Sequence, residues 1–417
     1  MRLLGSIVLL LVVGSALAYK TYSGYQVLKT APLTPNVMPY INKMSRIYDF
    51  WGTPVVGRPA TVMVSPEEAS VVNAAFNRLR ISHEIMIEDL APIVEKDFAE
   101  QERLMRAIPR QPRVAVYDRY MTYDEINAHV HETIAANPSV ASLVDLGLST
   151  EGRELHGIKL SNGAAGQPTV WFDCAIHARE WIAPPVCLRI IDEVLADPAL
   201  RDLADWYVLP VANPDGYSFS TTDSRFWRKT RRPNPGSTCV GTDPNRNFDF
   251  LWDSAGAYCD ETFPGSSAFS EPECAGIGNF IAANADSLVL YVALHSYGSL
   301  ILYPFGHTIE PVPNADDLFA AGQKSADVIA SVSGTVYSVE NSAAGLYFTF
   351  GASDDYAYGI GAAGYAYTYE LPGGGLAGFN PPPSRIQGVV DETWPGLKTL
   401  VEYTIANPTF PILPTKK

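Results

Sequence analysis

Three short apolar runs, each leading to a residue that can hold a proton or a cation, constrain the fold of this chain more than any other feature. Thr169-Val-Trp-Phe-Asp-Cys leads to His177, Leu288-Val-Leu-Tyr-Val-Ala-Leu stops at His295, and Tyr365-Ala-Tyr-Thr-Tyr stops at Glu370. Runs of this length, rich in β-branched and aromatic residues and bounded by Gly, Pro and polar residues, are strand signals, and helix-like stretches lie between them. The alternation predicts an α/β sheet. Ligands of such sheets sit beyond the carboxyl ends of the strands, so all three polar residues should arrive in one place.

Within that frame, His177-Ala-Arg-Glu180 puts an imidazole and a carboxylate three positions apart, close enough to share one cation, with His295 as a third ligand. Three protein ligands leave one tetrahedral position open, the pattern of a catalytic rather than a structural zinc site. A lone His-x-x-Glu pair recurs by chance on solvated helix faces, and any one of these residues could be a satisfied core polar group. Two candidate ligands and a candidate general base, Glu370, at neighbouring strand ends weigh against that reading.

Residues 1–18 read as a secretory signal peptide, from Met1-Arg-Leu-Leu through an apolar run to Val13 and a small-residue end at Ala18. The run is too short to span a bilayer, and no other stretch is long and apolar enough, so a secreted, extracellular chain without a membrane partner is expected. A net charge of -15 argues against a nucleic-acid partner. Among the five cysteines, Cys174 and Cys187 bracket the His177/Glu180 motif, so that pairing them would staple the end of a strand to the helix beginning near Pro184, and Cys239 and Cys259 could close a loop. Such a loop is worth on the order of 3 kcal/mol. Cys274 is left over. Cys174 as a fourth metal ligand is a competing idea, but side chains alternate along a strand and Cys174 should face away from His177.

Residues 19–113 carry strand and helix signals of their own, including Ala60 to Ser65, Pro66 to Arg80 and Glu84 to Asp89, enough for a small α+β domain. It closes in Ile108-Pro-Arg-Gln-Pro-Arg, where Arg110 and Arg113 lie in an extended, proline-broken stretch suited to proteolytic nicking. An interdomain linker and a removable pro-segment both fit; the secretory context favours the second. Residues 114–417 suit one large α/β domain.

Against the acidic background, Arg225-Phe-Trp-Arg-Lys-Thr-Arg-Arg is the densest positive cluster, followed by Asp243-Pro-Asn-Arg-Asn-Phe. Lys229, Arg231 and Arg232 read as a solvated face. Arg228 and Arg246 read differently: a carboxylate is best held by a bidentate guanidinium beside an amide donor, and Asn245-Arg246 supplies that pair. An anionic substrate end is implied.

These residues resemble the secreted zinc carboxypeptidases of the pancreatic A/B type, pro-segment included. Tyr48-Asp-Phe-Trp, Ile85-Met-Ile-Glu-Asp, Tyr123-Asp-Glu-Ile, Glu151-Gly-Arg, His177-Ala-Arg-Glu-Trp-Ile, Asn213-Pro-Asp-Gly-Tyr, Asn245-Arg-Asn, His295-Ser-Tyr and Tyr369-Glu-Leu match that family in type and order. The resemblance implies a mixed twisted sheet flanked by helices, preceded by a small α+β pro-domain. It implies one Zn2+ per chain on His177, Glu180 and His295, with Asp243 orienting one imidazole. Asn245, Arg246 and a tyrosine, Tyr347 by its distance from Ser353-Asp-Asp, would hold the terminal carboxylate of a peptide. Arg179, Arg225, Tyr297 and Phe379 would line the path of the longer peptide. Glu370 would act as general base towards water acidified by the metal, and Arg228 would stabilise the oxyanion. The expected partners are peptides and proteins with a free C-terminus and a protease that cuts near Arg110 or Arg113. A monomer is expected.

In this family the floor of the specificity pocket is apolar in A-type enzymes and carries an aspartate in B-type ones. Here the resemblance puts Asp354 on that floor, with Gly306, Ser342 and Thr368 small enough to keep the pocket open, which implies a preference for C-terminal Lys or Arg. The alternative is an A-like pocket for aromatic or aliphatic ends, because an extra residue between Asp355 and Glu370 shifts the match. A non-catalytic peptide-end binder should have lost a ligand, the base or the clamp, and this chain keeps all of them. His83, His129, His131, His156 and His307 are given no function, and His129 and His131 are read as surface residues.

Overall fold

The computed structural model describes residues 19–52, 54–107, 117–374 and 378–409. The signal-peptide residues 1–18 and the cleavage-prone Arg110 and Arg113 lie outside the described residues. Among the described residues there are two sheets. The first, in the N-terminal region, contains β1 (Gln26–Thr30), β2 (Asp49–Phe50), β3 (Thr61–Val64) and β4 (His83–Ile87) in the order β2-β3-β1-β4. β1 runs antiparallel to both β3 and β4, so the crossover β3–helix–β4 straddles it. The crossover helix Pro66–Arg78 starts on a capping box: Glu68 N donates to Ser65 Oγ and Ser65 N donates to Glu68 Oε2 at 2.8 Å. Its Val72 and Phe76 pack with Leu28, Ile41, Val62 and Val64 into a small core of their own.

The second sheet carries β5 (Ala141–Leu148), β6 (Glu154–Leu160), β7 (Thr169–Cys174), β8 (Asp205–Leu209), β9 (Leu288–Ser296), β10 (Leu300–Tyr303), β11 (Ser338–Asn341) and β12 (Tyr365–Leu371). Their order is β11-β10-β12-β9-β7-β8-β6-β5. The middle four, β12, β9, β7 and β8, are parallel, while β5, β6 and β10 each make antiparallel pairs on the flanks. Every residue of β7 is buried, as expected of a parallel strand covered on both faces. Side chains alternate along it: Trp171 packs on Phe280 of the helix Pro272–Ala283, whereas Phe172 stacks on Trp206, which meets Trp394 of the helix Ile386–Ala406. The two helices therefore cover opposite faces.

Cys174 and Cys187 form a disulfide that ties the end of β7 to the helix Ala183–Ala196, and Cys239 and Cys259 form a second. Cys174 is thereby unavailable as a metal ligand. Cys274 is free and buried, its Sγ donating to Pro244 O. The N-terminal region packs on the large sheet's domain through aromatic contacts: the Trp51 ring lies 5.2 Å from Phe226 and 5.7 Å from Phe379.

Candidate metal centre and substrate cleft

β7, β9 and β12 are adjacent and parallel, and all deliver polar residues at their carboxyl ends. Just past β7, Ala175 adopts a φ of 54°, a left-handed conformation uncommon for a residue with a Cβ. The turn sends the following loop, with His177 and Glu180, back across the strand ends. His295 lies within β9, and Glu370 is its direct partner on β12.

The three candidate ligands converge. His177 Nδ1 lies 2.9 Å from Glu180 Oε1, His295 Nδ1 lies 3.1 Å from Glu180 Oε2, and the two Nδ1 atoms are 3.1 Å apart. All three residues are buried. His177 Nε2 sits 3.0 Å from Asp243 Oδ1, an ionised carboxylate that can only accept, so the ring proton belongs on Nε2 and the Nδ1 lone pair faces inward. A lone pair aimed at a second imidazole and a carboxylate is repulsive unless positive charge lies between them. Zinc meets the requirement: two nitrogens and a carboxylate are its common ligands, and bonds of about 2.0–2.1 Å give tetrahedral edges of about 3.3 Å. The proton equilibria reflect the same demand for positive charge at this point, which a proton on His295 would meet in place of a metal. Although burial opposes it, Glu180 pushes the pKa of His295 up to about 9; burial likewise opposes ionisation of Glu180, yet the two imidazoles hold its carboxyl well below the usual range.

Asp243 also accepts from Arg228, with Nη2 at 2.8 Å and Nε at 3.2 Å, so one carboxylate fixes a candidate ligand and a candidate oxyanion donor together. Burial works against that charge, but Arg228, Arg246 and His177 keep Asp243 ionised. Asp243 further caps the short 3-10 turn Pro244–Arg246 by accepting from Asn245 N at 3.0 Å. The turn presents Asn245 and Arg246 to the cleft, and Arg246 Nη2 donates to the Tyr347 hydroxyl at 3.3 Å. Gly351, at φ 65°, backs this turn; a Cβ there would come within 2.5 Å of Arg246 O.

A cavity of about 290 Å³ joins these groups. His177, Glu180, His295, Glu370, Arg228, Asn245, Arg246, Tyr347, Arg179, Tyr297, Phe379 and Asp354 all line it. Glu370 is half-buried at the wall of this cavity, and desolvation pushes its pKa up to about 7. Asp354 is buried; desolvation and then the neighbouring Asp355 push it up to about 7, and Ser342 Oγ donates to its Oδ2 at 3.4 Å. Ser342 and Thr368 face the same cavity.

Other expected positions turn out differently. Gly306 is not among the lining residues: its N–H donates to Asp355 at 2.9 Å, and the Thr349 side chain occupies the space over its Cα. Arg225 lies behind the cleft, fully buried, stacked 3.6 Å from the Trp181 ring and donating to the carbonyls of Arg179 and Phe379. Lys229 is buried rather than solvated, because its Nζ reaches Tyr258 O at 2.9 Å. Arg231 is half-buried and stacks on Phe219 at 3.7 Å, whereas Arg232 is exposed, as expected, and donates to Ser270 O. His129 is buried as well, since the helix Tyr123–Ala136 turns it inward beside Ile126 and Val130.

Part of the cavity wall escaped the sequence reading. Trp51, Pro54 and Val55 from the N-terminal region line it, and Arg179 Nη1 donates to Asp49 Oδ1 at 3.1 Å. Leu302, Leu346, Thr349 and Ala352 also line it, as does the segment Arg58 to Thr61 of the N-terminal region. The family motif Tyr48-Asp-Phe-Trp was the only signal, and it named no partner.

Comparison with known proteins gives two family matches. The zinc carboxypeptidase model matches residues 126–396 and the carboxypeptidase activation peptide model matches residues 32–97. The chain is 37% identical over 369 residues to carboxypeptidase B of Helicoverpa zea, covering 84% of this chain and 86% of that protein. It is 31% identical over 419 residues to human carboxypeptidase A1, covering 97% and 99%. The crystal structure of carboxypeptidase A from Helicoverpa armigera superposes with a TM-score of 0.89 at 30% identity, covering 94% of this chain and 100% of that one.

Proposed function

The chain belongs to the zinc carboxypeptidase family and is a peptide hydrolase with an activation peptide, and on that premise we propose a secreted exopeptidase that favours C-terminal Lys or Arg. In this reading residues 1–18 are a signal peptide, 19–113 the activation segment and 114–417 the catalytic domain, freed by cleavage near Arg110 or Arg113. No helix of the described residues is long and apolar enough to cross a membrane, and two disulfides suit an oxidising compartment.

The observation that carries the reading is the buried convergence of His177, Glu180 and His295 beside Glu370. These three residues would hold one zinc ion, which when bound supplies Lewis acidity, lowering the pKa of water towards about 7 and polarising a carbonyl. Asn245, Arg246 and the Tyr347 hydroxyl grip the substrate's terminal carboxylate and set the last peptide bond against the reactive groups. Glu370, already close to neutral pH in its affinity for a proton, takes one from the attacking water and returns it to the leaving amine. Arg228, locked by Asp243, offers its guanidinium to the negative oxygen as it develops. Arg179, Tyr297 and Phe379 line the approach of the longer peptide. Arg225 contributes indirectly by fixing the Arg179 and Phe379 backbones.

Preference for a basic end rests on Asp354. A carboxyl buried among hydroxyls, with Asp355 as its neighbour, gains most from a substrate cation that neutralises it. Kinetics of the trimmed enzyme on peptides ending in Arg, Phe and Leu test this directly. Equal or better rates on Phe would overturn the role of Asp354 and favour an A-like pocket. Dialysis against a chelator should abolish turnover and added zinc restore it; turnover that survives would remove the catalytic reading altogether.

A further inference from the structure

A second group of metal-binding side chains stands on the outer edge of the large sheet, on elements that contribute nothing to the cleft. His131 belongs to the helix Tyr123–Ala136, while Glu154 and His156 lie two apart on β6 and so project from one face of that strand. His131 Nε2 lies 3.0 Å from His156 Nδ1; Glu154 Oε2 lies 3.3 Å from His156 Nδ1 and 3.6 Å from His131 Nε2. The sides of this triangle bracket the edge of about 3.3 Å expected for a tetrahedral zinc with bonds of about 2.0–2.1 Å.

From this convergence we infer that His131, Glu154 and His156 form a second divalent transition-metal site, separate from the catalytic one. The donors repeat the set in the cleft: two imidazoles and one carboxylate. The surroundings repeat too. Asp145, directly opposite His156 in the β5–β6 ladder, holds Oδ1 3.6 Å from His156 Nε2, on the side that Asp243 takes behind His177 but beyond the 3.0 Å of that hydrogen bond. Its negative charge, acting at ion-pair rather than hydrogen-bond distance, favours a proton on Nε2 over one on Nδ1 and so leaves Nδ1 free to ligate. Asn127, one turn before His131 on the same helix, donates to Glu154 Oε2 at 2.9 Å and fixes the carboxylate.

The donor set selects the metal. Imidazole nitrogens suit zinc, nickel and copper, whereas calcium and magnesium require shells of oxygen. Side-chain exposures of 43% for His131 and 48% for Glu154, against 9% for His156, leave the remaining coordination positions open to water. A bound ion would cross-link the helix to the edge of the sheet. A plain hydrogen bond between two neutral imidazoles is the competing account of the short contact between the rings.

Metal counting separates the two. The full-length chain, with its catalytic metal in place, is dialysed against buffered free zinc, passed through a desalting column and analysed by mass spectrometry for zinc per chain. One equivalent beyond the catalytic ion is expected, and it should vanish in His131→Ala and in Glu154→Gln while hydrolytic activity after trimming stays at the wild-type level. His131 lies on a solvent-facing part of its helix, so its removal leaves the fold intact. The same extra equivalent should remain in His295→Ala, which loses the catalytic ion instead. A wild-type chain that retains a single equivalent, or an extra one that persists in both His131→Ala and Glu154→Gln, would overturn the assignment.

Discussion

Arg179, on the loop that carries two candidate ligands, donates to Asp49 of the activation region at 3.1 Å, and the guanidinium stacks 4.4 Å from the Phe379 ring. The contact puts an acidic side chain of the N-terminal region on a cationic group of the cleft, with Trp51 packed beside it. Arg179 is almost fully buried, so the pair is little screened.

Replacing Asp49 with Ala should therefore loosen the cover. A hydrogen bond between charged groups contributes about 1.5–3 kcal/mol, and roughly tenfold more basal hydrolysis by the uncleaved chain is expected. Once the activation segment is removed, mutant and wild type should coincide. The measurement is kcat/KM on a blocked dipeptide before and after trimming; an unchanged basal rate would mean that aromatic packing alone closes the cleft.

Glu370→Gln should lower kcat by about 10²–10⁴, the usual contribution of a positioned base, and leave zinc content and KM close to wild type. A matching loss of metal in this variant would reassign Glu370 from proton transfer to metal retention. Direct metal analysis alongside the kinetics distinguishes the two.

Asp354→Ile should exchange the pocket's preference. The ratio of kcat/KM for Arg-ended over Phe-ended peptides is expected to fall by a factor of about 10² or more, because the substrate cation would face an apolar wall. A ratio that stays constant would place discrimination elsewhere in the cavity.

Glu273, which does not line the cleft, gives a stability prediction. Burial and then the charges of Glu271 and Asp215 push its pKa up to about 8, with backbone N–H donors resisting. The folded chain keeps this proton between roughly pH 4.5 and 8 while the unfolded chain has lost it, so stability must fall as pH rises through that window. Glu273→Gln removes the titration, and its stability should decline less steeply with pH, by up to about 1.4 kcal/mol per unit. Urea denaturation at pH 5.5 and 8 measures it; parallel slopes for both chains would contradict the buried neutral acid.

The candidate catalytic groups were legible because their signals are local. An apolar run ending in His or Glu says both that a strand is present and where it stops, and the three runs became β7, β9 and β12 with little change in boundary. Long-range neighbours carry no such signal. Nothing in the sequence around Lys229 announces that Tyr258 O will receive its ammonium, and Arg225, expected along the path of the longer peptide, gives no sign that Trp181 and the Phe379 carbonyl will enclose it. His129 and His131 were read alike, yet the helix turns one into the core and leaves the other at the rim. The insertion of β1 between β3 and β4 was hidden for the same reason, since the order of strands in a sheet depends on partners far along the chain.

The ladder between β9 and β12 pairs His295 with Glu370. Adjacent strands keep a spacing of about 4.8 Å, and partners in register point the same way, so the gap between carboxylate and imidazole is inherited from the backbone lattice rather than tuned by a flexible loop. A shift of a single residue would swing the carboxylate to the opposite side of the sheet. Evolution or engineering can thus reshape the walls around this pair freely, but the interval between its two members changes only in whole steps.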